Sequence, residues 1–369
     1  MKLLQINKLY PPHLGGIENV IRDIAESVAT HSAWQSDVLV CQEKGKRATE
    51  KINEVGVYRA TSFGRLFSLP ISLDFFSLFK KMTKNYDLIL FHHPFPLASL
   101  ARFLFLNKKK PLAIWYHSDI VRQKIFYWLV YPFLYLDLKA TKVIFVSSRR
   151  LAEKSPLLKK FLNKCQVIPF GVDLSNYAQD YSLEVSSLKS QHGRFMLAVG
   201  RLVYYKGYQG LLEALKSAPG KLLIVGIGPL ENKMKEYIKD NGLEDRVVII
   251  TSRPDNLIPY YQACEFLVFP SNARSEAFGL VQIEAMACGK PVINTDLPTG
   301  VPEVSLDGIS GLTVPVGDGD KLSSAIKTLW ENDELRIQLG HNAKQRTEEI
   351  YSREKFNEDL RRTLENIVK

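Results

Sequence analysis

The sequence predicts an α/β protein made of two domains, each built on a parallel sheet. Three observations lead there. At 369 residues the chain is long enough to bury two separate cores. Short apolar runs of strand length alternate with helical stretches along most of its length, the βα rhythm of parallel strands. A polar, Ser-rich stretch without clear periodicity, Tyr177 to His192, divides the two alternating blocks. The expected division is therefore 1–175, a linker over 176–193, and a second domain from 194 to about 350.

In the first block, Lys2–Lys8 reads as a short buried strand. It is followed by Y-P-P-H-L-G-G and a helix from about Ile17, whose Val20, Ile21, Ile24 and Val28 share one face. A strand, a glycine-rich turn and a helix start make an anion-friendly junction, at which Gly15 and Gly16 allow close approach of a phosphate or sugar. The alternative is a plain tight turn. Further strands are expected at Asp87–His92, Leu112–Tyr116 and Lys142–Ser147. His117 falls just past the carboxyl end of one of them, the edge where open α/β sheets bind ligands, although a single histidine is more often structural. His92 and His93 occupy a similar edge and are possible acceptor contacts.

In the second block, strand Phe195–Val199 runs into G-R-L-V-Y-Y-K-G and a helix over Tyr208–Ala218. Arg201 and Lys206, five apart in that loop, can clamp two phosphates, Arg through its fork and Lys as a point charge. On spacing alone, solvated loop charges are the simpler explanation. Lys221–Val225 ends in G-I-G-P-L-E, which imitates a dinucleotide fingerprint but has Glu231 where the third glycine should stand. That argues against a nicotinamide dehydrogenase. Arg246–Thr251 is a further strand, with Ser252-Arg253-Pro254 in the turn after it.

The most informative stretch is F-P-S-N-A-R-S-E-A-F-G-L-V-Q-I-E-A-M-A-C-G-K-P-V, Phe269 to Val292. It reads as a strand end, a polar loop, a helix of about three turns, and then Gly289 and Pro291 before the next strand. Its two glutamates are eight apart, which on one helix leaves them about 80° out of line. They converge only if Glu276 lies in the loop and Glu284 on the helix. Gly279 at the junction leaves backbone N–H groups facing outward, a seat for a diphosphate. The plainer alternative is an amphipathic helix with one capping and one solvated glutamate.

As a whole, the string Pro270-Ser271, Glu276, Phe278-Gly279, Glu284-Ala285, Gly289 and Pro291-Val292 resembles the signature of glycosyltransferase family 4, retaining enzymes of the GT-B fold. The resemblance implies two Rossmann-like domains facing each other across a cleft, with a terminal helix, 351–369, crossing back to the first domain on Phe356, Leu360, Leu364 and Ile367. It implies that Gly15 and Gly16 lie where donor and acceptor meet, that Arg201 and Lys206 hold the donor diphosphate, and that His117 touches the donor sugar. Glu276 would orient sugar hydroxyls and Glu284 would bind the ribose. Phe278, Gly279 and Leu280 fall in the donor-binding loop, and Ser252 and Arg253 where relatives hold the nucleobase, largely through backbone. Arg201, Lys206, His117 and Glu276 are thus the expected catalytic set. No metal or other cofactor is implied: no Asp-x-Asp stands at a strand end, and Asp318-Gly319-Asp320 lies away from the site. One departure is Thr299-Gly300-Val301, where many relatives carry two glycines.

The charge of +10 is uneven. Residues 1–190 hold 27 Lys and Arg against 15 Asp and Glu, whereas 191–369 hold 22 against 24. In the basic half, Phe63–Lys84 and Lys124–Leu138 interleave lysines with aromatics, which suits an anionic membrane surface as well as a pair of core helices with solvated lysines. No nucleic-acid motif accompanies the charge. The scattered Cys41, Cys165, Cys264 and Cys288 read as reduced thiols, and neither a signal peptide nor a membrane span is visible. The expectation is a cytoplasmic protein, peripheral at the inner face of the membrane. It would move a hexose, mannose by first guess, from a GDP- or UDP-linked donor to a lipid-linked or oligosaccharide acceptor in bacterial surface polysaccharide synthesis. The rivals are a sugar-nucleotide epimerase of the same architecture and a non-catalytic membrane-surface binder.

Overall fold

A computed structural model describes residues 1–13, 16–30, 34–66, 69–120, 124–252, 254 and 256–368, without the side chains of 124–127 and 129. Gly15 and Arg253, both expected at the site, lie outside the described residues. The chain divides into two compact units: Met1–Ile168 with Phe356–Lys369, and Pro169–Lys355.

The first unit holds an eight-stranded sheet in the order Cys165–Val167, Val143–Val146, Leu112–Tyr116, Leu88–His93, Lys2–Ile6, Gln35–Cys41, Val55–Ala60, Ala48–Ile52. Every neighbouring pair is parallel except the last, where Ala48–Ile52 runs antiparallel to Val55–Ala60. The central strands are buried along nearly their whole length, the pattern of a sheet covered on both faces. Helix Arg353–Val368 ends the chain, with Phe356, Leu360, Leu364 and Ile367 buried. Phe356 meets Trp115 at 5.9 Å, and Lys142 donates to the Ile367 carbonyl at 2.9 Å.

The second unit holds six parallel strands in the order Val247–Ile250, Leu222–Val225, Met196–Val199, Leu267–Phe269, Val292–Thr295, Gly311–Val314. The chain enters at Met196–Val199, builds outward on one side, then returns to build on the other. Met196–Val199 and Leu267–Phe269 therefore flank the point where strand order reverses, the crevice that open α/β sheets use for ligands. The units divide between Ile168 and Pro169, earlier than the expected linker. Most of 176–193 is instead helix Ser182–His192, which belongs to the second unit and buries none of its own residues.

Candidate active site

In the second unit the loops after those two neighbouring strands come together. Lys206 ends the turn Tyr204–Lys206, and Glu276 lies in the loop between Leu267–Phe269 and helix Leu280–Ala287. Their charged atoms are 2.7 Å apart with side chains only 12% and 13% exposed, and Ser271 donates to the same carboxylate oxygen at 3.3 Å. The Lys206 ammonium also sits 4.8 Å from the centre of the Phe269 ring, a cation–π contact that helps hold it. Arg201 is exposed and donates to the Tyr205 hydroxyl at 2.9 Å. The cation loop is tied to the Glu276 loop through its backbone, Asn272 N–H donating to the Tyr205 carbonyl at 2.9 Å.

Gly279 caps the helix at φ +87°, a left-handed conformation. A Cβ there would lie 2.7 Å from the Phe269 ring, so only glycine lets the helix start this close to the strand end. The helix is eight residues, nearer two turns than three, and starts at Leu280. Glu276 is in the loop and Glu284 on the helix, the arrangement that convergence of the two would need. Phe278 turns its ring inward, 5.2 Å from Phe170 and 6.1 Å from Tyr351, which leaves its backbone as the part that faces the loop. Ser252 is exposed at the end of Val247–Ile250.

Glu284 is half-buried, and Tyr261 donates its hydroxyl hydrogen to Oε2. Burial raises the Glu284 pKa, and the Tyr261 bond and the Lys206 charge pull it back. Tyr261 carries no signal at the level of sequence, since nothing in N-L-I-P-Y-Y-Q-A marks one tyrosine over the other. Thr299 is fully buried in the loop that departs from the family pattern, and the adjoining Gly300 N–H donates to the Ala277 carbonyl at 2.8 Å.

The first unit places His117 after strand Leu112–Tyr116, only 6% exposed. Its Nε2 is 2.9 Å from His92 Nδ1, and His92 Nε2 is 2.9 Å from Gln5 Oε1. His92 and His93 are almost wholly buried, which corrects the expectation that they meet an acceptor. His93 faces Asp137 at 3.2 Å inside the unit. The sequence signal for this network is Gln5, a polar residue between Leu4 and Ile6 in the buried part of its strand. Gly16 opens helix Gly16–Ala29, exposed, with open space where a Cβ would stand.

Burial holds both His117 and His92 neutral, taking the His117 pKa down to about 3 and that of His92 well below its ordinary value. The unfolded chain protonates each near pH 6.5, whereas the folded chain does so only in stronger acid. Stability is therefore complete above that range and declines as pH falls from about 6.5 toward 3. At pH 5 the expected loss from His117 is about 2 kcal/mol relative to pH 8, and His92 adds to it in the same direction. Urea unfolding at the two pH values, in the wild type and in His117→Phe, measures it. The variant should show less of the loss, and an unchanged pH dependence would remove the assignment.

The arrangement in the second unit offers two cations, a helix N-terminus and two carboxylates at a strand-order reversal, which together can hold a diphosphate ester and its hydroxyls. Residues 183–346 match the family described as Glycosyl transferases group 1, and residues 14–176 match Glycosyltransferase Family 4. The chain is 31% identical to O-antigen chain mannosyltransferase C of Escherichia coli over 353 residues, 95% of each chain. It is 30% identical to D-rhamnosyltransferase WbpZ of Pseudomonas aeruginosa, over 95% of this chain and 92% of that one. Among solved structures it resembles Anabaena Alr3699/HepE in complex with UDP, with a TM-score of 0.79 at 21% identity, covering 99% of this chain and all of that one.

Proposed function

The chain belongs to glycosyltransferase family 4, and on that premise we propose that it moves a hexose of manno configuration from a nucleoside diphosphate sugar to a lipid-linked saccharide, building a bacterial surface polysaccharide. Its fold is GT-B and its reaction is glycosyl transfer. The observation that carries the reading is the Lys206–Glu276 pair beside the Gly279 helix start, at the reversal of strand order.

In the proposed mechanism the bond between the anomeric carbon and the leaving phosphate oxygen breaks as the acceptor oxygen bonds that carbon from the same face, retaining its configuration. The acceptor's proton passes to the leaving diphosphate, so no side chain is assigned as base. Arg201, Lys206 and the amide groups after Gly279 meet the growing negative charge, the task a divalent cation performs elsewhere, and the reaction proceeds without one. Glu276 orients the sugar hydroxyls and Glu284 accepts from the ribose. Ser252 and the backbone of Phe278, Gly279 and Leu280 complete the donor contacts. The first unit is assigned to the acceptor, and His117 to the donor sugar.

The manno configuration is supported by the two relatives: D-rhamnose is 6-deoxymannose, so their names share the stereochemistry at C2, C3 and C4. GDP is the proposed carrier. The lipid-linked acceptor is supported by the surface of the first unit, where Phe103 is 59% and Trp128 71% exposed and Lys80 lies over the Phe105 ring at 5.6 Å. Among the described residues no helix is long and apolar enough to cross a membrane, so the proposed association is peripheral.

The test is transfer from GDP-mannose, with UDP-glucose as comparison, to saccharide diphospholipids in vesicles. The expected product carries an α-linked mannose, forms at the same rate in EDTA, and forms faster on anionic than on neutral vesicles. Epimerised donor without acceptor, or a rate restored only by magnesium, would count against the proposal.

A further inference from the structure

Glu284 does not stand alone. Tyr261, on helix Ile258–Ala263, is 1% exposed, and its hydroxyl ends on Glu284 Oε2. Ringed by protein, that hydroxyl has no access to bulk water, so the bond fixes the carboxylate's rotation and commits one of its two oxygens. Tyr177, at the end of Leu174–Tyr177, closes on the same group from another element, and both phenols are held protonated by burial and by the neighbouring carboxylate. The first thing a carboxylate needs in order to read a vicinal diol is one fixed oxygen edge facing both hydroxyls. The second is a partner that keeps it ionised despite burial.

We propose that Tyr261 is a positioning residue for donor selection: by holding Oε2 it leaves Oε1 to accept from the ribose hydroxyls, so that the pair separates a ribonucleoside diphosphate from its 2′-deoxy counterpart. This rests on the proposed reading of Glu284 as the ribose contact. The geometry gives the bond two effects. It removes rotamer freedom that ribose binding would otherwise have to remove. It also opposes the rise in Glu284 pKa that burial causes, because a hydrogen bond to the ionised form favours that form.

The experiment is calorimetric titration of GDP, UDP, dGDP and dUDP into the full chain, its Glu284→Gln variant and its Tyr261→Phe variant, at pH 8 and pH 5.5. The wild type should prefer the ribonucleotide by about tenfold or more, the size of a hydrogen bond to a charged group. Glu284→Gln should lose most of that preference. Tyr261→Phe should weaken the ribonucleotide about three- to tenfold and the deoxynucleotide, which keeps only the 3′ hydroxyl, by clearly less. Its ribonucleotide affinity should also fall further between pH 8 and 5.5 than the wild type's, because Glu284 then protonates at higher pH. Urea unfolding of both variants beside the wild type serves as the control for folding. A preference lost in Glu284→Gln but kept in Tyr261→Phe overturns the inference alone, as does equal weakening of both nucleotides by Tyr261→Phe. A preference kept in Glu284→Gln overturns the ribose reading, and the inference with it.

Discussion

Lys206→Ala should lower kcat/KM for transfer by about a hundred- to a thousandfold, the loss seen when one preorganised donor to a developing negative charge is removed. The ammonium lies 2.7 Å from the Glu276 carboxylate and over the Phe269 ring, both contacts fixed by adjacent strand ends. With no donor bound, the two charges satisfy each other. A diphosphate would take the lysine, and Glu276 would then be released to the sugar hydroxyls. The variant removes the cation and leaves Glu276 behind, 13% exposed and short of its partner, so about 1–3 kcal/mol of stability should go as well. Unfolding curves recorded beside the turnover assay separate the two losses. A variant that is still folded and turns over like the wild type would refute the role given to Lys206.

That pair also marks where the sequence stopped being legible. Local spacing ties any convergence of the two glutamates to Glu276 in a loop and Glu284 on a helix, because an eight-residue interval does not align two side chains on one helix face. It could not say that Lys206 would lie against Glu276, seventy residues on. That proximity follows from Met196–Val199 and Leu267–Phe269 becoming neighbours in the sheet, a long-range choice that periodicity does not record. The Tyr261–Glu284 bond was hidden for the same reason. The stretch 176–193 reads as a linker because it is polar and lacks clear periodicity, yet most of it is helix Ser182–His192, none of whose residues is buried. Phe278 enters the donor-binding loop through the family signature, and the structure packs its large apolar ring against Phe170 and Tyr351.

The G-I-G-P string, rejected above as a dinucleotide fingerprint, has a structural use that yields the second large effect. A Cβ on Gly226 would lie 1.9 Å from the Gly200 carbonyl oxygen, and one on Gly228 2.5 Å from that of Leu202. Gly200 N–H donates to Val225 at 3.0 Å, and Leu202 N–H to Ile227 at 2.9 Å, so two backbones run in contact with no room for side chains between them. The segment they hold is the one that carries Arg201. Gly226→Ala cannot be relieved by turning a side chain aside, because what it meets is main chain. It should cost about 2–4 kcal/mol and displace Arg201, weakening donor binding even where the unit stays folded. Gly210 is the matched control: it lies in helix Tyr208–Ala214 with nothing within 4 Å of a Cβ, so Gly210→Ala should be neutral or stabilising by up to about 1 kcal/mol. Urea midpoints of the two variants against the wild type decide it, and a Gly226→Ala protein as stable as Gly210→Ala would mean that the contact between these loops does not hold the cation in place.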